Sequence, residues 1–314
     1  FLAALPAAAL APRSAGAQRY PARPVRLLEG YGAGGAPDVI ARLIGRWLSE
    51  RLGEPFVVDN KPGASGRIAT DVVAKAPPDG YTLLLIVSNN AIDAAIKDRL
   101  PYDFIRDIAP IAGIYRMPLV MVVHPSFPAT TVAEFIAHAK ANPGKVNMAS
   151  AGVGTGTHIA GELFQAQAGV SLFHVPHRGV QALNAVVAGQ VPLYFGVVAS
   201  SLSQIKAGKL RALAVTPAMR AAVLPDVPAM AEFLPGYDYS AWYGLGAPAG
   251  TPPDVIAGIN REVNAAIADP AFARQLTDLG GIPLPGTPAD FARLIAADAN
   301  KTANIIRAAN IHIE

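Results

Sequence analysis

The feature that most constrains the fold of this chain is one arrangement that occurs three times. A short apolar run leads into a loop rich in glycine and small hydroxyl residues, and a stretch with helical periodicity follows. The three loops span residues 31–38, 62–66 and 150–158. Strands that alternate with helices in this way are typical of βαβ units, so the pattern predicts an α/β fold with mostly parallel sheets.

The number of such units predicts more than one globular body. Further apolar runs suited to buried strands continue to about residue 215, and three helical stretches close the chain at 254–268, 271–279 and 288–309. A chain of 314 residues exceeds the roughly 100 to 200 residues of an ordinary domain, so we expect two α/β lobes. The pattern fits two consecutive domains, and it fits equally a first domain that is interrupted and then completed by the helical tail.

Composition excludes several classes of function. The chain has no cysteine, which rules out disulfides, thiolate nucleophiles, cysteine zinc sites and iron–sulfur clusters. Its 26 basic and 23 acidic residues leave a net charge of +3, which is too small for the electrostatic surface that binds nucleic acid. We therefore expect no nucleic-acid partner.

The first seventeen residues resemble an export signal. They are apolar, carry one charge at Arg13 and end in Ala15-Gly16-Ala17, a small-residue pattern typical of a cleavage site. We predict cleavage near Ala17 and a periplasmic protein, and a disordered alanine-rich tag is the alternative. No later apolar run has the length of a membrane span, so we predict no transmembrane helix.

The glycine loops suggest a site for an anion. In open α/β sheets, ligands bind beyond the carboxyl ends of the strands, where free N–H groups of helices point outward. Glycine lets the backbone approach a ligand closely, and each helix end favours an anion by about 0.3–1 kcal/mol. Several loops together would select a carboxylate or phosphate, although each loop alone is also an ordinary turn. Asp38, at the start of the first helix, is either a helix cap or part of this site.

Known nucleotide and catalytic motifs are missing from these loops. A dinucleotide fingerprint would need glycine where Pro37 and Thr157 stand, and neither a P-loop lysine nor G-x-S-x-G is present. His174 and His177 are close in sequence, but their flanking residues supply no further metal ligands. We predict no metal, no cofactor and no catalytic residue. Arg178 is either a bidentate carboxylate ligand or a solvated surface arginine.

A series of short motifs resembles one known family, the solute-binding proteins of tripartite tricarboxylate transporters, also called Bug receptors. The motifs occur in order over nearly the whole chain after Tyr20, and together they are highly specific. They are GGAPD (34–38), VDNKPGASG (58–66), PDGYTL (78–83), LPYD (100–103), NPGK (142–145), SAGVGTGTH (150–158), HVPHRG (174–179), AGKLRALAV (207–215), LPDVP (224–228) and APAGTP (247–252).

The resemblance implies a two-lobed periplasmic binding protein, a type II-like Venus flytrap whose α/β lobes are joined by crossover hinge strands. Lobe one would comprise residues 18–120 and 246–314, lobe two residues 121–245, and the signal peptide residues 1–17. Members of the family bind small organic acids between the lobes. We therefore expect a monomeric binding protein, not an enzyme, that delivers its ligand to membrane permease subunits.

Carried over residue by residue, the resemblance also implies a ligand site drawn from both lobes. The first-lobe contacts would be Tyr31, Gly34, Gly35, Asp38, Ser65, Ser88 and Asn89. The second-lobe contacts would be Ser150, Gly154, Thr155, Gly156, Thr157, His158, His177, Arg178 and Gly179.

Three departures from the family pattern bear on the ligand. This chain has Tyr31-Gly32 in place of Phe-Pro, His177-Arg178 in place of Tyr-Lys, and Gly196 where members often carry an aspartate that faces the ligand. Loss of that carboxylate would weaken a site for an amino group, so we predict a dicarboxylate of C4 to C6 type, not an acidic amino acid. The alternatives are an exported hydrolase or lyase with His177 as base, and a ligand receptor for a sensor protein.

Overall fold

One long strand connects the two halves of the molecule. The computed structural model describes residues 20–95 and 100–308, so the predicted signal peptide lies outside the described residues. Strand β4 (Ile108–Val123) is 16 residues long. As far as Pro118 it pairs with β9 (Ser240–Pro248), and from Leu119 onward it pairs with β7 (Leu193–Val197). β4 thus enters the second half and β9 returns to the first, as crossover hinge strands.

The first half, which we call lobe one, is built on a sheet in the order β2, β1, β3, β9 and the first part of β4. β1 pairs in parallel with β2 and β3, whereas β9 is antiparallel to its neighbours. The remaining strands of this sheet are β1 (Val25–Glu29), β2 (Phe56–Asn60), β3 (Thr82–Val87) and the short β10 (Ile282–Pro283), which pairs with β4. Its helices are α1 (Ala36–Leu52), α2 (Arg67–Ala74), α3 (Asn89–Ala95), α4 (Phe104–Asp107), α9 (Pro253–Ala268), α10 (Pro270–Asp278) and α11 (Pro288–Ala308).

The second half, lobe two, is built on the second part of β4. Its sheet runs β6, β5, β7 and β4, and β8 also pairs with β4. The strands are β5 (Asn147–Ser150), β6 (Phe173–Pro176) and β8 (Arg211–Val215), together with β7. The helices are α5 (Val132–Ala141), α6 (Gly156–Ala168), α7 (Gln181–Val187) and α8 (Val198–Lys206).

Helices cover both faces of the central strands of each sheet, and successive side chains of a strand point to opposite faces. On β1, Leu27 packs in the cluster that contains Ile44 of α1, and Leu28 packs in the cluster that contains Ile295 of α11. On β4, Met121 faces α5 and α6, whereas Val122 faces α7 and α8. Each lobe is therefore a three-layer arrangement of helices, sheet and helices.

Helix α11 contacts both lobes. Ile295 belongs to the core of lobe one and Ile305 to the core of lobe two. Between them, Asp298 accepts a hydrogen bond from Trp242 Nε1 of β9 at 2.9 Å, and Lys301 Nζ donates to a backbone oxygen of lobe two at 2.8 Å. The last helix thus lies along the junction between the lobes.

The predicted two-lobed α/β fold is confirmed, and the main differences are local. The apolar run LVMVV predicts a strand over residues 119–123, whereas Pro110, Gly113 and Pro118 interrupt the pattern over the first part of β4. The structure accommodates the first two at irregularities in the pairing with β9, where proline and glycine are tolerated. Within the described residues, no helix combines the length and the apolar character that a membrane span requires.

Candidate functional site

A cavity of about 410 Å³ lies between the two lobes. Its walls are the loops that follow β1, β2 and β3 in lobe one and β5 and β6 in lobe two, and its base is formed largely by hinge-strand residues. The lining residues are Tyr31, Pro37, Ser65, Val87, Ser88, Asn89, Met117, Leu119, Ala151, Thr155, Gly156, Thr157, Gly179, Val197, Ala241 and Tyr243. No residue of this lining carries an ionisable carboxylate, amine, guanidinium or imidazole.

The structure brings part of the predicted site together in this cavity. The predicted residues that line it are Tyr31, Ser65, Ser88, Asn89, Thr155, Gly156, Thr157 and Gly179. The predicted residues that lie outside its lining are Gly34, Gly35, Asp38, Ser150, Gly154, His158, His177 and Arg178. Several residues of the second set hold the walls in place, and their ligand contacts stay predictions.

Tyr31 connects the three loops of lobe one that reach the cavity. Its hydroxyl donates to the backbone oxygen of Ser65 at 3.0 Å and accepts from Asn89 Nδ2 at 3.0 Å. Burial raises the pKa of Tyr31 well above its usual range, so the phenol is neutral. Ser65 has φ 58°, a left-handed backbone conformation that non-glycine residues adopt at a cost, typically at functional sites.

Asp38 fixes the first glycine loop. Its carboxylate accepts hydrogen bonds at 2.9 Å from Gly34 N, Arg42 Nε and Asn60 Nδ2. The hydrogen bond from Arg42 is the main cause that holds the pKa of Asp38 at about 2. Gly35, not Asp38, is the N-cap residue of α1. The cap role considered for Asp38 is therefore wrong, and the side chain acts as a clamp on the loop.

A second buried carboxylate supports the same loop. Glu29 has no exposed surface, and it accepts hydrogen bonds from Tyr31 N at 2.8 Å and from Asn60 Nδ2. Burial raises the pKa of Glu29, while these two donors act in the opposite direction. The wall of lobe one thus stands on a network in which Asn60 connects Glu29 with Asp38.

The wall of lobe two is folded by its own hydroxyl groups. Thr155 Oγ1 donates to Gly152 O at 2.8 Å, and Thr157 Oγ1 accepts from Ala151 N at 2.8 Å. The two hydroxyl oxygens are 3.0 Å apart. Because Gly156 and Thr157 begin α6, their N–H groups have no partner within the helix, and such groups commonly bind anions.

Two stacked histidines lie behind this wall. The rings of His158 and His174 have centroids 3.8 Å apart and planes 11° apart. His174 Nε2 is 2.6 Å from the hydroxyl of Ser150, and His158 Nδ1 accepts from Gly154 N at 3.1 Å. Burial, and secondarily the neighbouring His158, lower the pKa of His174 to about 4. His174 is therefore neutral at neutral pH, and the pair holds the glycine loop at Ser150 and Gly154.

His177 and Arg178 are beside the cavity. The backbone N–H of His177 donates to Ser150 O at 2.9 Å, and its ring Nε2 is buried with no hydrogen-bond partner among the described residues. The side chain of Arg178 is exposed. Within residues 20–95 and 100–308, no three histidine or carboxylate side chains are grouped as metal ligands would be.

The structure contradicts the prediction that a side chain at position 196 would face the ligand. Gly196 is on the face of β7 that points away from the cavity, and a Cβ there would lie 2.6 Å from both Ser201 Oγ and the ring of Tyr194. An aspartate at this position would therefore not face the cavity. The neighbouring Val197 faces it instead.

Sequence reasoning missed the base of the cavity. Met117 and Leu119 on β4, with Ala241 and Tyr243 on β9, line it together with Val197. In the sequence these residues belong to apolar strand patterns that are identical to those of core strands. One face of these strands lines a cavity only because the hinge strands cross between the lobes. The hydrophobic periodicity of the sequence contains no signal for that crossing.

Two α/β lobes, crossover hinge strands and an uncharged cavity between the lobes define a two-lobed periplasmic binding protein. A family model described as the tripartite tricarboxylate transporter family receptor, TctC, matches residues 40–311. The chain therefore belongs to this receptor family, as the motifs predicted. Its members are substrate-binding receptors, which argues against the hydrolase or lyase alternative.

Individual relatives agree with this assignment. The chain is 39% identical over 306 residues to a UPF0065 protein in the tcbD-tcbE intergenic region of Pseudomonas sp. strain P51, a match that covers 96% of this chain and 91% of that protein. Among solved structures, R. palustris Rpa4515 with adipate is 34% identical with a TM-score of 0.82, covering 93% of this chain and 99% of that one. MatC from Rhodopseudomonas palustris with bound malate is 31% identical with a TM-score of 0.79, covering 91% and 100%.

Proposed function

We propose that this chain is an exported solute-binding protein that captures a small organic dicarboxylate of C4 to C6 type between its lobes. It then delivers the ligand to the permease subunits of a tripartite tricarboxylate transporter. The observation that carries the proposal is the cavity itself, which is lined from both lobes by hydroxyl, amide and helix N-terminal groups. Adipate and malate in the solved structures of two relatives support the choice of a dicarboxylate.

The proposal includes the organisation predicted from the sequence. Lobe one comprises residues 18–120 with 246–314 and lobe two comprises 121–245, so that both boundaries lie within the crossover strands β4 and β9. The mature monomer begins after cleavage near Ala17. The predicted residues that line the cavity are the proposed direct contacts, and Gly34, Gly35, Asp38, Ser150, Gly154 and His158 support the loops that carry those contacts.

The mechanism follows from a cavity whose walls belong to different lobes. A ligand that contacts both walls binds the closed form more tightly than the open form, and this difference in affinity shifts the population toward closure. Closure excludes water and strengthens the hydrogen bonds to the carboxylates. An anion can be held in this way by backbone N–H groups and hydroxyls without a cation in the lining.

Calorimetric titration tests the ligand class. We expect at least one of succinate, malate and adipate to bind. Glutamate and aspartate should bind more weakly or not at all, because the lining has no carboxylate to pair with their ammonium group. Tight binding of the two amino acids with failure of all three diacids would contradict the proposal. Mass spectrometry of the bound diacid after incubation should show it unchanged.

A charge placed in the cavity tests the location of the site. Asn89→Asp keeps the shape of the side chain but adds a negative charge to the lining, so binding of a diacid should fall at least about tenfold from like-charge repulsion. Asn304→Asp adds the same charge on the exposed side of α11 and should leave binding unchanged. If both variants bind the diacid as tightly as the unmodified protein does, the cavity is not the ligand site.

A further inference from the structure

The base of the cavity is one continuous apolar surface that extends from lobe one into lobe two. Val87 is paired with Tyr243 across β3 and β9, and Leu119 is paired with Val197 across β4 and β7. Directly paired residues share a face of the sheet, as do residues two apart on one strand. We call this surface the apolar floor, and it consists of Val87, Met117, Leu119, Val197, Ala241 and Tyr243.

The floor provides almost no hydrogen-bonding group to a ligand. Apart from the hydroxyl of Tyr243, its side chains are hydrocarbon or thioether. The ring of Tyr243 is stacked on Tyr115 with centroids 5.1 Å apart and planes 22° apart, which fixes its orientation. Backbone N–H and C=O groups of these strands are used in the sheet, as in the pairing of Met117 with Ala241.

Apart from the hydroxyl of Tyr243, the polar side chains that line the cavity belong to its walls. Ser65, Ser88 and Asn89 belong to lobe one, and Thr155 and Thr157 belong to lobe two. A ligand that extends between these walls must therefore present its polar ends to the loops and its middle to the floor. The two parts of the ligand meet surfaces of opposite character.

We propose that the apolar floor selects acids with an unsubstituted hydrocarbon body and rejects acids whose body carries hydroxyl groups. A hydroxyl over the floor loses its hydrogen bonds to water without gaining others, which is unfavourable. A methylene at the same place gains from burial. The inference rests on the proposed function, because it concerns the acid bound in the same cavity, and it identifies the floor residues as the determinants of specificity.

Matched pairs of acids test the inference by calorimetry. Adipate and galactarate have the same chain length and the same two carboxylates and differ in the hydroxyl groups of the body. Hexanoate and gluconate form the corresponding pair with one carboxylate. Adipate should bind more than about tenfold more tightly than galactarate, since several hydroxyls would lose their partners.

The outcomes separate this inference from the proposed function. If galactarate binds as tightly as adipate or more tightly, the role of the floor is refuted while dicarboxylate binding stands. If adipate, galactarate, succinate and malate all fail to bind but hexanoate binds better than gluconate, the dicarboxylate proposal fails and the role of the floor stands. If none of these six acids binds, both proposals are refuted.

A substitution that keeps the size of a floor side chain tests whether the floor causes the preference for adipate over galactarate. Val197→Thr replaces a methyl group in the floor by a hydroxyl, and it should lower the ratio of adipate to galactarate affinity several-fold. Val57→Thr makes the same change on β2, where the side chain is 51% exposed, and should leave the ratio unchanged. An unchanged ratio in Val197→Thr, in a protein that still binds adipate, would overturn the assignment of specificity to the floor.

Discussion

The two walls of the cavity present similar groups to a ligand but are held in place by different chemistry. In lobe one, the ion pair of Asp38 with Arg42 and the buried Glu29 fix the glycine loop. In lobe two, the stacked rings of His158 and His174 and the hydroxyls of the loop do so. The difference shows that two loops with similar hydroxyl and N–H groups can be fixed by a carboxylate–guanidinium pair in one lobe and by stacked imidazoles in the other. It also makes the two walls respond differently to acid and to mutation.

The largest effect is expected from removing the charged support of lobe one. Asp38→Ala leaves Arg42, Asn60 and Gly34 N without their shared acceptor, and we expect a loss of about 2–3 kcal/mol in the free energy of unfolding. Asp59→Ala removes the partly exposed ion pair with Arg26 and should cost less than about 1 kcal/mol. Urea denaturation measures both losses, and equal losses would show that Asp38 has no special role.

The histidine support of lobe two should weaken in acid, because His174 must take up a proton there. The pKa of His174 is about 4 in the folded protein against a usual 6.5, so between these values the unfolded chain binds more protons than the folded one. Stability therefore falls as pH falls from about 6.5 to about 4, by about 2 kcal/mol after allowance for the partial exposure of the ring.

Denaturant titrations at a series of pH values measure this loss. His174→Gln should flatten the curve in the same interval, whereas His138→Gln, on α5 away from the pair, should leave its slope intact. A slope that is identical in the unmodified protein and in His174→Gln would show that His174 does not cause the acid sensitivity.

Loss of a loop hydroxyl should reduce ligand affinity more than stability. Thr155→Ala removes the hydrogen bond to Gly152 O that shapes the wall of lobe two, and we expect binding of adipate to weaken by about 1–2 kcal/mol. Thr277 donates to Ala273 O at 3.0 Å on the exposed side of α10, so Thr277→Ala is the control that should bind normally. Unchanged dissociation constants for both Thr155→Ala and Ser150→Ala would remove this loop from the site.

The smallest effect concerns the strained loop of lobe one. Glycine tolerates the φ of 58° at Ser65, so Ser65→Gly should raise the free energy of unfolding by about 0.5 kcal/mol while weakening ligand binding. Ser171 has no positive φ, so Ser171→Gly should lower stability by a similar amount. Thermal denaturation compares the two variants, and a loss of stability in Ser65→Gly would contradict the assignment of strain.

The sequence was most informative where local signals and the final fold agree. The apolar run TLLLIV predicts a strand over residues 82–87, which are the limits of β3. The amphipathic pattern over residues 37–52 predicts a helix that differs from α1 by one residue, because a continuous apolar run and a clear amphipathic period need no distant partner. The lobe that receives α11, the clamp made by Asp38, and the face on which Gly196 lies depend on contacts between distant segments. Periodicity contains no record of such contacts. The motif resemblance supplied the two-lobed arrangement, an assignment of the helical tail to lobe one and several residues that line the cavity, but not the clamp.

The most direct test of the central claim is a crystal structure of this protein with adipate. We predict the acid in the cavity between the lobes, with one carboxylate at the Ser65, Ser88 and Asn89 wall, the other at the loop of Thr155 and Thr157, and the hydrocarbon chain over the apolar floor. Adipate bound elsewhere, or in contact with one lobe only, would contradict the account.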